Sequence, residues 1–366
     1  MKVCVTGATG FIGSHVAANL ARAGHEVHVT VRDRRRLRAL EGVEVAPVQA
    51  NVLDRRALRR AFEGAELVFH TAGLVASRPP SEVWRVNAVA PRLAVEAAAR
   101  AGVRRVIVTS SVGACGPARS DRPANERNPW PEQGSGFIYT DAKREGELAA
   151  FEAGERLGLE VVAVNPAYVL GAALNRSMPG ETSTRIVANY LRGRLPAIVD
   201  AYTNIVDVED VAQGHVLAAS KGRPGERYIL GGENLRWSDV IERVARISGI
   251  RHPLIVLPPE IASAIGMLQR FATNPGLLEG IRLMAPDWRY SSAKARRELG
   301  YKPRSANETL ERTVSWYLEL IEDDRMPARR TRSFDWMTGA VRTASRFGLL
   351  TPLRAMGAVA GRRTVM

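Results

Sequence analysis

Short apolar runs alternate with segments of helical period through the first half of the chain. The runs are "KVCVTG" (2–7), "EVHVTVR" (26–32), "VEVAPV" (43–48), "ELVFHTA" (66–72), "RRVIVTSS" (104–111) and "LEVVAVNP" (159–166). Between them lie predicted helices from about Phe11 to Ala23, near 54–62, near 82–101 and around Tyr139. Several runs are apolar on consecutive residues, as expected of parallel strands covered on both faces. This rhythm predicts an α/β fold built on a doubly wound parallel sheet. After Pro166 the rhythm breaks. A Gly/Pro/Ser-rich stretch (171–184) leads to a helical segment near 184–193, and "NIVDVEDVAQGHVLAAS" (204–220) reads as a strand end followed by a capped helix. "GERYILGG" (225–232) reads as a further strand, followed by helices near 237–248, 259–271, 291–298 and 306–323. The pattern divides the chain into a sheet domain of 1–166 plus 204–232, a smaller lobe of 167–203 plus 233–324, and a tail of 325–366.

Length and charge refine this picture. At 366 residues the chain exceeds what one core usually organises, which fits a large domain with a second lobe. Cys4 and Cys115 are the only cysteines, too few for a disulfide framework, and they point to a reducing compartment and a cytoplasmic protein. The first residues are broken by glycine and threonine and make a poor signal peptide. No apolar run reaches the ~18 residues a spanning helix needs. The net charge of +14 suggests nucleic acid until it is located: nine arginines and one acid, Asp335, give residues 325–366 a charge of +8 and leave +6 for the rest. A folded body so mildly basic is not read as a nucleic-acid binder. Drawn as a helix from Trp336, the tail sets Trp336, Ala340, Val341, Ala344 and Phe347 on one side and Arg342 and Arg346 on the other. Such a helix suits peripheral contact with an anionic membrane; docking on its own domain or partial disorder is the alternative.

The chemistry gathers where predicted strands end. "TGATGFIG" closes the first strand and opens the first helix, with Gly7, Gly10 and Gly13 three apart and Thr9, Phe11 and Ile12 in the same turn. Glycine allows the sharp turn and the close approach of a pyrophosphate to the helix N-terminus. No P-loop lysine follows, so a dinucleotide is favoured over a nucleoside triphosphate. The second strand ends in "VRDRRRLR", where Arg32 precedes Asp33 and four more arginines (34, 35, 36, 38) follow. A guanidinium at this point accommodates a ribose 2′-phosphate, which favours NADP over NAD. Asn51 and Val52 end the third strand near the adenine. Thr71, Ala72 and Gly73 end the fourth, where the backbone must pass close to the cofactor, and His70 reads as a packed strand residue. Thr109 and Ser111 end the strand before the Tyr139 helix, and Lys143 follows Tyr139 by four, on one helical face. A hydroxyl, a phenol and an ammonium beside a nicotinamide make a proton-delivery set for hydride transfer. The residues suggest no metal site.

The order "TGATGFIG", "TSS", "YTDAK" resembles the extended short-chain dehydrogenase/reductase family of the NAD-dependent epimerase/dehydratase type, over residues 1 to about 320. Within it, "VNPAYVLG" (164–171), "IVDVEDVAQGH" (205–215), "GRPGERYILGGENL" (222–235) and "SSAKARRELGYKP" (291–303) are most similar to dihydroflavonol-4-reductase-like proteins and bacterial hopanoid-associated sugar epimerases. The resemblance implies a Rossmann domain with a smaller C-terminal substrate lobe, and a homodimer. It implies that Tyr139 protonates the substrate oxygen, that Lys143 holds the nicotinamide ribose and lowers the phenol's pKa, and that Ser111 hydrogen-bonds the carbonyl oxygen. It also implies that Asn87 supports the active-site helix and that Pro166 and Val169 lie near the nicotinamide. Two positions depart from the family pattern: Asn51 stands where an aspartate is usual, and Ala172 where a proline is. The expected activity is NADPH-dependent reduction of a carbonyl on a small or amphipathic metabolite. The alternative is a nucleotide-sugar epimerase or dehydratase with tightly held NAD, against which "VNPAYVLG" speaks, and a third reading is a redox sensor without turnover. Trp130, Tyr168 and Arg194 are candidates for the substrate lobe.

Overall fold

The structure is a computed structural model that describes residues 1–75, 79–177, 183–267, 282–323, 332–351 and 364–365. Its strands are β1 (Lys2–Thr6), β2 (Glu26–Val31), β3 (Ala46–Gln49), β4 (Leu67–His70), β5 (Arg105–Thr109), β6 (Glu160–Pro166), β7 (Tyr168–Leu170), β8 (Ala197–Val199), β9 (Tyr202–Asp207), β10 (Arg227–Leu230), β11 (Glu233–Arg236) and β12 (Ile255–Leu257). Seven of them form a parallel sheet in the order β10-β6-β5-β4-β1-β2-β3. The order reverses between β1 and β4, which opens a crevice at the carboxyl ends of the strands.

Side chains alternate across the sheet as strand geometry requires. Val3, Val5 and Ile107 join one core with α1 (Phe11–Arg22) and α7 (Val208–Lys221), whereas Cys4, Val106 and Val108 join a second core. That second core includes Leu58 and Phe62 of α2 (Arg55–Phe62), and Val95 and Ala150 from the helices that follow. The result is the doubly wound Rossmann arrangement.

The smaller lobe rests on two minor sheets, β11-β9-β7 and β12-β8, with α6 (Arg185–Leu191), α8 (Trp237–Ser248) and a helix over Ala306–Glu322 packed around them. The sequence pattern returns 204–232 to the main sheet. The structure does so with α7 and β10 but places β9 in the three-stranded sheet, paired with β7 and β11. The end of the chain joins this lobe: Val256 N–H donates to the Thr364 carbonyl at 2.9 Å, and Val365 bridges Ile255 antiparallel. The predicted helix near 259–271 is present over Pro259–Met267, and its remainder lies outside the described residues.

The helix predicted near 82–101 is divided into α3 (Pro80–Trp84), a π-turn over Arg85–Val89 and α4 (Ala90–Arg100). Pro91 accounts for the break. It has no N–H for the carbonyl four residues back, which belongs to Asn87, and its ring would crowd that carbonyl. The widened turn leaves the Asn87 carbonyl facing α5 (Ile138–Leu157), and Gly146 is what lets α5 approach. A Cβ on Gly146 would overlap the Asn87 oxygen and come within 3.0 Å of Pro91 Cγ. In an exposed helix, Gly→Ala stabilises by about 1 kcal/mol. Here Gly146→Ala is expected to destabilise by about 1–3 kcal/mol through overpacking, measured by urea unfolding. A variant more stable than wild type would refute the packing argument.

Candidate active site

The glycine turn after β1 is built for close approach. Gly7 has φ +69°, and a Cβ there would lie 2.6 Å from Ala72 Cα. A Cβ on Gly13 would lie 2.5 Å from Thr71 Oγ1, whose hydroxyl donates to the Thr6 carbonyl at 2.6 Å. On Gly10 it would meet only the Gly7 oxygen, at 3.3 Å. Gly10 begins α1 with no side-chain cap, so the first N–H groups there, of Phe11 and Ile12, are left for an anion. Thr9 is half-buried beside them. This uncapped glycine turn at the sheet crevice fits a dinucleotide pyrophosphate.

Further along the crevice, Arg32 is exposed directly after β2. The Asp33 carboxylate beside it is engaged by Arg35, from the backbone N–H at 3.0 Å and from Nη2 at 2.8 Å. These bonds hold Asp33 below the usual carboxylate range and cap the 3₁₀ turn Arg34–Leu40. After β3, Asn51 accepts from Leu53 N–H at 3.1 Å and shapes its own turn, with Val52 half-buried next to it. Asn87 clamps the segment after β4, accepting from Leu74 N–H at 3.1 Å and donating to the Leu74 carbonyl at 2.9 Å. Gly73 preserves the space beside it, since a Cβ there would come within 3.0 Å of Lys143 Nζ.

α5 brings the phenol and the ammonium to the end of β5. Its entry is fixed by Ser135, which hydrogen-bonds Thr140, and by Asp141, which accepts from Ser135 N–H and hydroxyl at 2.7 Å each. Tyr139 is the second residue of the helix and half-buried, and the Ser111 hydroxyl acts on its phenol. Ser111 Oγ also accepts from Gly113 N–H at 3.1 Å. Lys143 is buried and donates to the Thr109 carbonyl at 2.9 Å. The structure therefore brings Ser111, Tyr139 and Lys143 together around the end of β5.

The electrostatics differ in one respect from what the resemblance implies. Burial pushes the Tyr139 phenol up to about 12, with the Ser111 hydrogen bond pulling the other way, instead of the lowering expected from Lys143. Lys143 itself is lowered to about 8, again by burial, against an opposing pull from Glu147. His70 is fully buried, shares a hydrogen bond with Thr6 Oγ1 at 2.9 Å and is lowered to about 3 by burial and by Lys143, so it stays neutral, a packed strand residue.

Pro166 closes β6 and is buried, and Val169 is buried in β7. Among the substrate-lobe candidates, Trp130 stacks under the Arg144 guanidinium at 4.7 Å. Tyr168 donates to the Ser183 carbonyl at 2.8 Å and packs edge-on against Trp237, a structural placement. Arg194 sits in the turn after α6, its N–H on the Asn189 carbonyl at 2.7 Å. Among the described residues, no hydrogen bond or ion pair links it to Ser111, Tyr139 or Lys143.

Sequence reasoning missed a second layer. Asn165 Nδ2 donates to the Ser111 carbonyl at 3.0 Å and to Glu147 at 2.7 Å. Tyr290, from the smaller lobe, donates to the Val112 and Gly116 carbonyls at 3.1 and 2.9 Å, bracing the turn after Ser111. The helical spacing of Glu147 from Lys143 was the one available signal.

Lys143 yields a prediction with a definite sign. Below about pH 8 the lysine is charged in the folded and the unfolded chain, and its burial penalty is complete. Between about 8 and the ordinary value of 10.5 the unfolded chain holds more protons, so wild-type stability rises with pH. That interval corresponds to roughly 3 kcal/mol, and orphaning the Thr109 carbonyl offsets about 1–3 of it. Lys143→Met is thus expected to be as stable as wild type at pH 7, or up to about 2 kcal/mol more so, with the advantage shrinking from pH 8 upward. Thermal unfolding across this range checks it; a growing advantage at high pH would contradict it.

Comparison with known proteins agrees with the geometry. The chain is 33% identical over 333 residues to sterol demethylase protein B of Methylococcus capsulatus, covering 87% of this chain and 99% of that one. It is 35% identical over 258 residues to cinnamoyl-CoA reductase 1 of Oryza sativa subsp. japonica, covering 67% and 75%. The crystal structure of PA4631, a nucleoside-diphosphate-sugar epimerase from Pseudomonas aeruginosa, superposes with a TM-score of 0.74 at 26% identity, over 89% of this chain and 99% of that chain. The NAD dependent epimerase/dehydratase family matches residues 3–231. The chain belongs to that family and is an NAD(P)-dependent enzyme of the extended short-chain dehydrogenase/reductase type.

Proposed function

We propose that the protein is an NADPH-dependent reductase of a carbonyl on a bulky, largely apolar or amphipathic compound. The observation that carries the reading is the convergence of the Ser111 hydroxyl, the Tyr139 phenol and the Lys143 ammonium at the crevice where the glycine turn opens. The names of the sterol and cinnamoyl-CoA relatives support a large apolar substrate. NADPH in place of NADH is supported by Asp33, whose carboxylate is already engaged by Arg35, and by the exposed Arg32 beside it.

When bound, the cofactor supplies the hydride. Gly7, Gly10 and Gly13, with Thr9, Phe11 and Ile12, would hold its pyrophosphate, and Arg32 its 2′-phosphate. Asn51, Val52, Thr71, Ala72 and Gly73 would line the adenosine side, with Pro166 and Val169 at the nicotinamide end. Ser111 would orient the carbonyl oxygen and stabilise the charge developing on it. Tyr139 would give that oxygen its proton. A phenol near 12 is a competent donor at neutral pH, because it enters the reaction protonated. Lys143, on the ribose side, would stabilise the phenolate left behind.

The second reading, a nucleotide-sugar epimerase with retained NAD, is favoured by the family match and by the likeness to the P. aeruginosa epimerase. A panel of aryl, steroidal and short-chain aldehydes and ketones, assayed for NADPH and NADH oxidation, separates the two. Turnover with NADPH is expected, and Tyr139→Phe should retain cofactor binding while losing ~100-fold or more of it. NAD that survives purification, with no net cofactor use, would reverse the order.

The tail supports a peripheral membrane contact. Its helix, Arg332–Arg346, is anchored by buried Val341 and by Arg342, which donates to the Gly193 carbonyl at 2.8 Å. Beyond it Phe347 and Leu349 remain 75% and 67% exposed. The helix therefore meets its own lobe through Arg342, while Phe347 and Leu349, just past its end, are turned outward. Truncation after Asp324 should reduce sedimentation with phosphatidylglycerol liposomes at least several-fold, more so at low salt. Equal partition of both forms would end the membrane reading.

A further inference from the structure

The chain that leaves β7 reaches back to the far half of the main sheet. β7 follows β6 directly, and residues 171–177 run from its end to the 3₁₀ turn Arg34–Leu40, which follows β2. In the sheet order, β5, β4 and β1 stand between β6 and β2, so the segment bridges the two halves of the sheet on either side of the crevice. Its start is fixed by Gly171 N–H, which donates to Thr313 Oγ1 at 2.8 Å, and near its end Arg176 pairs with Glu319 at 2.8 Å and Asp323 at 3.0 Å. Thr313 and Glu319 belong to the helix Ala306–Glu322 of the smaller lobe. Between these ties Ala173 is buried in the core that also holds Phe11, Val31, Ala39 and Leu40.

While Arg176 turns to the lobe helix, its neighbours Asn175 and Ser177 turn to the Arg34–Leu40 turn. The last carbonyls of a helical turn lack donors from within it. The Arg38 carbonyl receives the Glu41 N–H at 3.3 Å, and the remaining donors come from 136 to 139 positions further along the chain. Asn175 Nδ2 donates to the Arg38 carbonyl at 3.1 Å and to the Ala39 carbonyl at 2.9 Å, and Ser177 Oγ lies 2.7 Å from the Arg38 carbonyl. Asn175 Oδ1 accepts from Ser177 N–H at 3.1 Å, which orients the carboxamide with its donors toward the turn. Ser177 Oγ is also 2.6 Å from Asn175 Oδ1, so its single proton serves both acceptors.

The gripped turn stands where a dinucleotide is held. In a doubly wound sheet the adenosine ribose is met at the end of the second strand, and the pyrophosphate at the glycine turn after the first, which here is the adjacent strand. We propose that residues 171–177 form a strap across the cofactor crevice, latched to the Arg34–Leu40 turn by Asn175 and Ser177, and that the latch must open for the dinucleotide to enter or leave. The smaller lobe thereby governs cofactor exchange as well as closing its own side of the crevice. The strap rests on dinucleotide binding by the family and is independent of the substrate proposed above.

Exchange is read without turnover. Wild type and Asn175→Ala/Ser177→Ala are loaded with NADPH, and in parallel with NADH, then mixed in stopped flow with excess NADP⁺ or NAD⁺, and the loss of bound nicotinamide fluorescence gives the release rate. The double variant should release its dinucleotide about 5-fold faster or more, as the loss of two hydrogen bonds of ordinary net strength allows. A latch bars entry as well as exit, so the association rate should rise too. Ser177→Thr, which keeps the hydroxyl, should stay near wild type. Should the double variant fail to fold, Ser177→Ala alone, at a half-buried position, carries the same test with about 2-fold or more expected. Faster release with association unchanged would make Asn175 and Ser177 part of the binding surface and overturn the strap. Wild-type rates in the folded variant, or binding of neither dinucleotide to wild type, would overturn it as well. If both rates rise but no carbonyl is ever reduced, the proposed function fails and the strap stands.

Discussion

One hydrogen bond joins the two halves of the site, that from the buried Lys143 ammonium to the Thr109 carbonyl at the end of β5. It ties helix to sheet at the point where strands stop and chemistry begins. A buried cation costs folding free energy, and the surroundings show how the cost is met. The Thr109 carbonyl accepts a hydrogen bond from it, Gly73 leaves the space, and Glu147 lies one turn further along the helix. The Ser111 carbonyl is held by Asn165, and the turn after Ser111 by Tyr290, which reaches across from the smaller lobe. Ser111 and Lys143 are thus surrounded by residues from five separate parts of the chain: Gly73, Thr109, Glu147, Asn165 and Tyr290.

Features set by neighbours in sequence were legible before any coordinates. Gly7, Gly10 and Gly13 announce a turn because only glycine tolerates the Gly7–Ala72 approach. Tyr139 and Lys143 announce a shared face because helical spacing is local. The consecutive apolar residues of β1 and β5 predict strands covered on both faces, and the structure divides Val3 and Val5 from Cys4 accordingly.

What the sequence hid depends on distant partners. The π-turn around Asn87 requires both Pro91 and the opposing Gly146, 59 positions further on. β9 looked like a returning strand of the main sheet, but it pairs with β7 and β11 because the chain crosses over after Pro166. The sequence sets Asp33 directly after Arg32, and only the folded turn shows Arg35 engaging its carboxylate. The phenol's raised pKa follows from burial, which no spacing rule reports.

The final residues are woven into the smaller lobe, Thr364 and Val365 lying along Ile255 and Val256 of β12. The edge of β12 is therefore completed by residues more than a hundred positions further along the chain, and removing them would strip Ile255 of its bridge to Val365 and Val256 of its acceptor.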